Sequence, residues 1–116
     1  MQTDYVYLAS SLSSLAGLPV RLYQGGIFQE RYHHVAFEPD LAAMAESRVF
    51  QNKESVSYYM DENFLYYGLF RVKSADVSLL IGPVSQMPVD MRMAERILRS
   101  MGENVNRRKE LVNFFS

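Results

Sequence analysis

Few residues in this sequence are placed to do chemistry. His33 and His34 are adjacent. On an extended segment neighbours point to opposite faces, so the pair is poorly set to ligate one metal, and no second ligand motif accompanies it. Asp61-Glu62-Asn63 gathers two carboxylates, but it lies between two strand-like runs, where such residues build turns. Gly25-Gly26 does not continue into a glycine-rich phosphate loop. No serine sits in a Gly-x-Ser-x-Gly setting. There is no cysteine, which removes thiol nucleophiles, thiolate ligands and disulfides. No catalytic residue, metal or cofactor is assigned, and the chain is expected not to be an enzyme.

The tyrosines are more informative. Tyr58, Tyr66 and Phe70 fall on one alternation of two aromatic-rich runs. That alternation is expected to face a helix over residues 38–50, with Met44 and Val49 above it. An aromatic and methionine-lined space of this kind suits a small organic ligand. The competing reading is plain core packing. A buried tyrosine hydroxyl requires a hydrogen-bond partner, which favours a pocket slightly. Met44, Val49, Tyr58, Tyr66 and Phe70 are therefore the candidate ligand-binding residues.

The elements that position them centre on Ser55–Gly82. Three runs rich in aromatic and β-branched residues are separated by Asp61-Glu62-Asn63 and Ser74-Ala75-Asp76, the pattern of an antiparallel meander. The middle run, Phe64 to Lys73, is apolar on both alternations, so a central strand covered on both faces is expected. Gly68 within it marks a bulge, a bend or a close approach. Upstream, Tyr5, Leu8, Leu12 and Leu15 recur at helical spacing over residues 4–16, with Thr3 as cap, Gly17 and Pro19 as stops, and serines 10, 11, 13 and 14 opposite. That small polar face suits solvent or a second copy of the helix. Val20–Gln24 and Ile27–Tyr32 read as a hairpin about Gly25-Gly26, the second strand charged like a sheet edge. Pro39 opens the helix over 38–50, striped by Leu41, Met44, Ala45 and Val49. Gly82-Pro83 is expected to close the last strand. Asp90 caps a third helix through Met101, striped by Ala94, Ile97 and Leu98 and stopped by Gly102. Residues 104–115 begin a fourth.

A five-stranded antiparallel sheet in the order 2-1-5-4-3 satisfies this sequence of elements, giving an α+β fold of PAS or GAF-like type. The 116 residues suffice for one domain. Net charge is −1, which makes no electrostatic case for the chain gripping nucleic acid by itself. Arg92, Arg96, Arg99, Arg107, Arg108 and Lys109 cluster late in the chain, but acidic residues interleave with them as on solvated helix faces. No apolar run approaches the roughly 20 residues that cross a bilayer, and a cytoplasmic setting without membrane contact is expected. Phe114-Phe115, close to the last residue, are expected to be exposed, as at the start of a helix that leads onward.

Gly17-Leu-Pro-Val-Arg-Leu-Tyr, Tyr58-Tyr-Met-Asp-Glu-Asn-Phe-Leu-Tyr-Tyr-Gly68 and Leu80-Ile-Gly-Pro-Val together resemble the N-terminal domain of AraC-type transcriptional regulators from Gram-positive bacteria. The resemblance spans the first helix through the third. It implies a sensor domain over residues 1–103, and a segment 104–116 that starts a helix towards a helix-turn-helix DNA-binding region absent from this chain. A homodimer is expected with it, helix 4–16 and the segment 90–115 being the candidates for dimer contact and signal output, together with a small-molecule effector and DNA contact only through that further region. A ligand-free interaction or dimerisation scaffold of the same fold is the alternative. The resemblance carries no ligand-binding motif onto particular residues.

Overall fold

The computed structural model describes residues 4–33 and 35–116. Its elements run α1 (Tyr5–Ala16), β1 (Val20–Gln24), β2 (Ile27–Tyr32), α2 (Leu41–Val49), β3 (Val56–Met60), β4 (Leu65–Val72), β5 (Val77–Ser85), α3 (Met91–Ser100) and α4 (Arg108–Phe114). Single 3-10 turns lie at Lys73–Ala75 and Val105–Arg107. The five strands form one antiparallel sheet in the expected order, β2-β1-β5-β4-β3.

Local chemistry explains the boundaries. Asp4 caps α1 by accepting from the Tyr7 N–H at 3.0 Å; Thr3, the cap expected from sequence, lies outside the described residues. Gly17 ends α1 in the left-handed conformation, at φ 67°. Asp40, not Pro39, begins α2: its carboxylate accepts from the N–H groups of Ala42 and Ala43, and Pro39 stands just before the cap. Asp90 caps α3 as expected. In the β3–β4 turn, Asp61 Oδ1 accepts from Asn63 N–H at 2.8 Å and Leu65 N–H at 3.0 Å. Phe64 therefore belongs to the turn, with φ 61°, and not to the strand.

The sheet has two unlike faces. On one, Tyr23, Leu65, Tyr67, Leu69 and Leu80 form a single buried cluster with Leu41, Ala42, Ala45 and Val49 of α2, Ile97 and Leu98 of α3, and Leu111 and Phe114 of α4. On the other, α1 lies over β1 and its flank on β2. There Ala9 joins Val20, Leu22, Val77 and Leu79 in a smaller cluster. Of the expected α1 stripe, Tyr5 and Leu12 pack against this cluster and Leu8 and Leu15 do not. Ala9 and Ser13 are the buried positions of the helix, while Leu8 is exposed and Leu15 is almost wholly so. Small side chains at these two positions let the helix approach the sheet closely, which turns Leu8 and Leu15 to the flank.

Two further expectations fail for visible reasons. The last strand does not stop at Gly82-Pro83. It runs to Ser85, because the β4–β5 ladder shifts register between Tyr66 and Gly68 and resumes as Tyr66 opposite Val84. Phe114 and Phe115 are not exposed either. Phe114 is 9% exposed and packs near His33 and Phe37, with ring centroids at 5.0 and 6.3 Å. Segment 104–116 thus shares the main core, and outside it Arg107 pairs with Glu103 and Glu110 and Arg108 with Glu95.

The irregular ladder depends on Gly82. Its φ is 128°, and a Cβ there would lie 2.6 Å from the Tyr66 carbonyl oxygen, closer than van der Waals contact allows. Gly82→Ala is expected to cost about 2–4 kcal/mol, whereas Gly26→Ala, with open space around the new methyl but a φ of 76°, is expected to cost about 1 kcal/mol. Urea unfolding of the two variants checks this. Equal losses would refute the close-approach account.

Candidate functional site

The best-organised polar cluster joins β1 to α2. Arg21 is 7% exposed. Its Nε donates to the Tyr23 hydroxyl at 2.9 Å, its Nη1 to Asp40 Oδ2, and its Nη2 to Glu46 Oε2 at 3.3 Å. Tyr23 in turn donates to Glu46 at 2.7 Å. Alternation along β1 explains the arrangement: Arg21 and Tyr23 point to the α2 face while Val20 and Leu22 point to α1. The guanidinium also lies 3.9 Å from the Phe28 ring centroid. Burial opposes the Arg21 charge, but bonds to Tyr23 and Asp40 outweigh it and hold its pKa above the ordinary value. Burial and the bond to Glu46 push the Tyr23 hydroxyl well above the usual tyrosine range. Arg31 completes the network from β2, bonded to Glu38 and, at 3.3 Å, to Asp40. Every charge here has a partner, which makes the cluster a clamp on α2.

A separate cleft of ≈ 510 Å³ opens where α2 and α3 meet the β3–β4 turn. Its apolar wall is Met44, Ala45, Leu65, Ile97 and Met101. Its polar groups are Tyr59, Tyr67, Asn63, Ser100, the carboxylates Asp61 and Glu62, and the exposed Arg48. Asn63, 6% exposed, donates from Nδ2 to Ser100 Oγ at 2.9 Å, and Ser100 donates to the Ile97 carbonyl at 2.7 Å. Tyr59 and Tyr67 face each other across β3 and β4 with ring centroids 6.1 Å apart. The Tyr67 hydroxyl reaches the Leu41 carbonyl only at 3.4 Å. Burial, then the Asp61 charge, raises its pKa, so it stays protonated and able to donate.

The structure does not bring the five sequence candidates together. Val49 is buried beneath α2, and Met44, half exposed, lines the cleft. Tyr58, Tyr66 and Phe70 lie on the opposite face of the sheet; their cross-strand partners Gly68, Val84 and Leu79 share that face with the α1 cluster. The expected alternation is off by one residue, and the physical reason is plain. Both alternations of β4 are apolar, and the aliphatic Leu65 and Leu69 take the enclosed face, each 0% exposed. Tyr67 replaces Tyr66 beneath α2. Sequence reasoning missed Tyr59, Tyr67, Arg48, Ser100 and Met101, and treated Asn63 only as a turn residue. The β3 pattern pointed the other way: the alternation that is buried holds Ser57, 4% exposed, and the one left outside holds Val56, Tyr58 and Met60.

His33 stacks near Phe114 and approaches the Gly17 carbonyl at 3.3 Å; His34 lies outside the described residues. Among the described residues no three His, Asp or Glu side chains gather as a metal site, and no helix is long and apolar enough to cross a membrane. Comparison of the chain with family models, with curated proteins and with solved structures finds no match.

The clamp is tested at Asp40, which both caps α2 and neutralises Arg21. Asp40→Ala leaves a buried guanidinium short of its nearest carboxylate and removes the cap, and is expected to cost about 3–5 kcal/mol. Asp40→Asn keeps a good cap acceptor and is expected to recover about 1 kcal/mol of that loss. Chemical denaturation of both variants is the measurement. A loss under 1 kcal/mol for Asp40→Ala would show that Glu46 alone holds Arg21.

Proposed function

We propose that this chain is an effector-sensing and dimerisation domain of an AraC-type transcriptional regulator, acting in the cytoplasm and without catalysis. The observation that carries the reading is the cleft between α2, α3 and the β3–β4 turn. It is large enough for a small metabolite, has an apolar methionine-lined wall, and is rimmed by tyrosine hydroxyls, a buried amide, a serine hydroxyl, one arginine and the carboxylates Asp61 and Glu62. The sheet order and flanking helices fit a PAS or GAF-like sensor, and the sequence resemblance points to the same class.

The cleft also offers a route for output. Ile97, Ser100 and Met101 belong to the end of α3, and α3 packs against α4. An effector touching both α2 and the α3 end would favour one spacing of these helices over another. Such a differential affinity is what biases an attached helix-turn-helix module. A second reading, the ligand-free scaffold, draws support from the space directly beneath α2. That space is filled by Leu65, Leu69, Leu80 and Val49, which are 0–2% exposed.

A thermal-shift screen of small polar and aromatic metabolites separates the two. A true effector at about ten times its Kd adds about 1.4 kcal/mol, or roughly 5 °C in a domain of this size. Met44→Trp, which fills the cleft from a half-exposed position, is expected to abolish the shift while leaving the unliganded Tm within about 2 °C. A saturable shift that survives Met44→Trp would place the ligand elsewhere, and no shift from any class would favour the scaffold.

The link to transcription has its own test. The coding frame that continues past Ser116 is expected to encode two helix-turn-helix motifs. A frame that continues into any other domain, or stops, would overturn this part of the reading.

A further inference from the structure

The face of the sheet that carries α1 is only half covered. α1 lies over β1 and β2; the end of β4 at Val72 packs against the same cluster, and among the described residues no helix lies over β3 and the remainder of β4 on this side. Their outward residues are Val56, Tyr58, Met60, Tyr66, Gly68 and Phe70. Tyr58 is 77% exposed, Val56 and Met60 nearly half, and Phe70 about a third. No charged side chain interrupts this strip between Val56 and Met60 on β3 or between Tyr66 and Phe70 on β4. A solvated sheet face ordinarily alternates apolar-in with polar-out, and contiguous apolar patches of several hundred Å² mark contact sites.

α1 bears the matching anomaly. Its twelve residues, Tyr-Val-Tyr-Leu-Ala-Ser-Ser-Leu-Ser-Ser-Leu-Ala, contain no charge, though it is a surface helix. Ser10, Ser13 and Ser14 line a hollow with Arg31 and Tyr32 on the β2 side. At 100° per residue, Leu8 and Leu15 lie on the other flank, towards β4. Tyr7 points outward, 72% exposed. The helix thus has an apolar flank that the described residues leave partly open at Leu8 and almost wholly open at Leu15.

We propose that these two surfaces form one interface with a second copy of this chain, related by a two-fold axis, in which α1 of each copy occupies the bare β3–β4 strip of the other. Three observations select that occupant. The strip is two strands wide, about 10 Å at roughly 4.8 Å per strand, which is the width of one helix with its side chains. Each chain offers one such strip and one uncharged helix, so the patch is self-complementary in the sense a two-fold contact requires. The area is also sufficient. At roughly 150–200 Å² per fully exposed large side chain, the seven exposed apolar residues of the strip and helix leave about 600–800 Å² per chain, the amount a standard interface takes from each partner. The absence of charge on both surfaces means that bringing identical patches together creates no like-charge repulsion. Ser11, next to Leu8 and Leu15 on the outward arc of α1, is small enough for close packing.

This inference deepens the dimerisation part of the reading above, and it fails separately from the effector part. Sedimentation velocity of the intact chain across about 1–200 µM is expected to show a monomer–dimer equilibrium. Tyr58→Glu and Leu15→Glu place a charge at sites 77% and 89% exposed in one chain, so each variant is expected to keep its circular dichroism while weakening the dimer Kd at least 100-fold. Lys109→Glu, on α4 across the sheet, changes charge by two and is expected to leave Kd unaltered. A cysteine introduced as Leu15→Cys in this cysteine-free chain is expected to react with a maleimide slowly at dimer concentrations and quickly on dilution. A chain that stays monomeric at 200 µM, or a dimer indifferent to both Glu substitutions, overturns the proposal. A monomer that still shows a saturable metabolite shift would leave the effector reading standing.

Discussion

The structure depends on a buried cation. Arg21 sits on a core-facing position of a central strand, where a guanidinium is tolerated only with its charge answered and its donors engaged. Asp40, Glu46 and the Tyr23 hydroxyl do this. Two of the three partners belong to α2 or its cap, so satisfying Arg21 fixes the height and direction of α2 above the sheet. Buried ion pairs add little net stability against an apolar substitute. What this one supplies is a position: Asp40 cannot cap α2 and meet Arg21 unless the helix starts where it does.

That position decides where space is left. With α2 held against β1 by its first turns, its underside is filled by Leu41, Ala42, Ala45 and Val49 over Leu65, Leu69 and Leu80. The uncovered volume is displaced along the sheet to the gap between α2, the β3–β4 turn and the end of α3. Asn63 and Ser100 bond across that gap at 2.9 Å, so the turn and α3 are tied at one point while the remainder stays open. The same logic makes two faces with opposite characters. The α2 face is closed by three helices, and the α1 face by one short helix whose small residues allow close packing but cover too little of the sheet.

The legible part of this fold was the part written in local chemistry. Asp90, Gly17 and Gly102 marked helix ends through capping and left-handed backbone, and the polar breaks at Asp61 and Ser74 marked the meander. The strand order followed from element sequence and short connections. The candidate site was not legible in the same way, because it turned on which alternation of β4 faces inward. Tyr66, Gly68 and Phe70 look as suited to a core as Leu65, Tyr67 and Leu69. Only the packing of α2 and α3 chooses between them, and those contacts are distant in sequence. Leu8 and Leu15 misled for a related reason. They gave the better apolar stripe, yet the helix docks through Ala9 and Ser13, since close approach to the sheet favours small side chains over large ones.

These two misreadings have one source. A residue type reports that a side chain prefers to leave water, and it does not report which partner removes it. Tyr58, Phe70, Leu8 and Leu15 all carry that preference; Phe70 and Leu8 meet it only in part within a single chain and Tyr58 and Leu15 hardly at all, at 36%, 38%, 77% and 89% exposed. They also fall on one side of the sheet, on neighbouring elements, without an intervening charge. An isolated exposed leucine needs no explanation, but four large apolar residues that fall short together on one face do. The unmet preference is a property of the surface as a whole, and it is met at once if a second α1 lies beside the first.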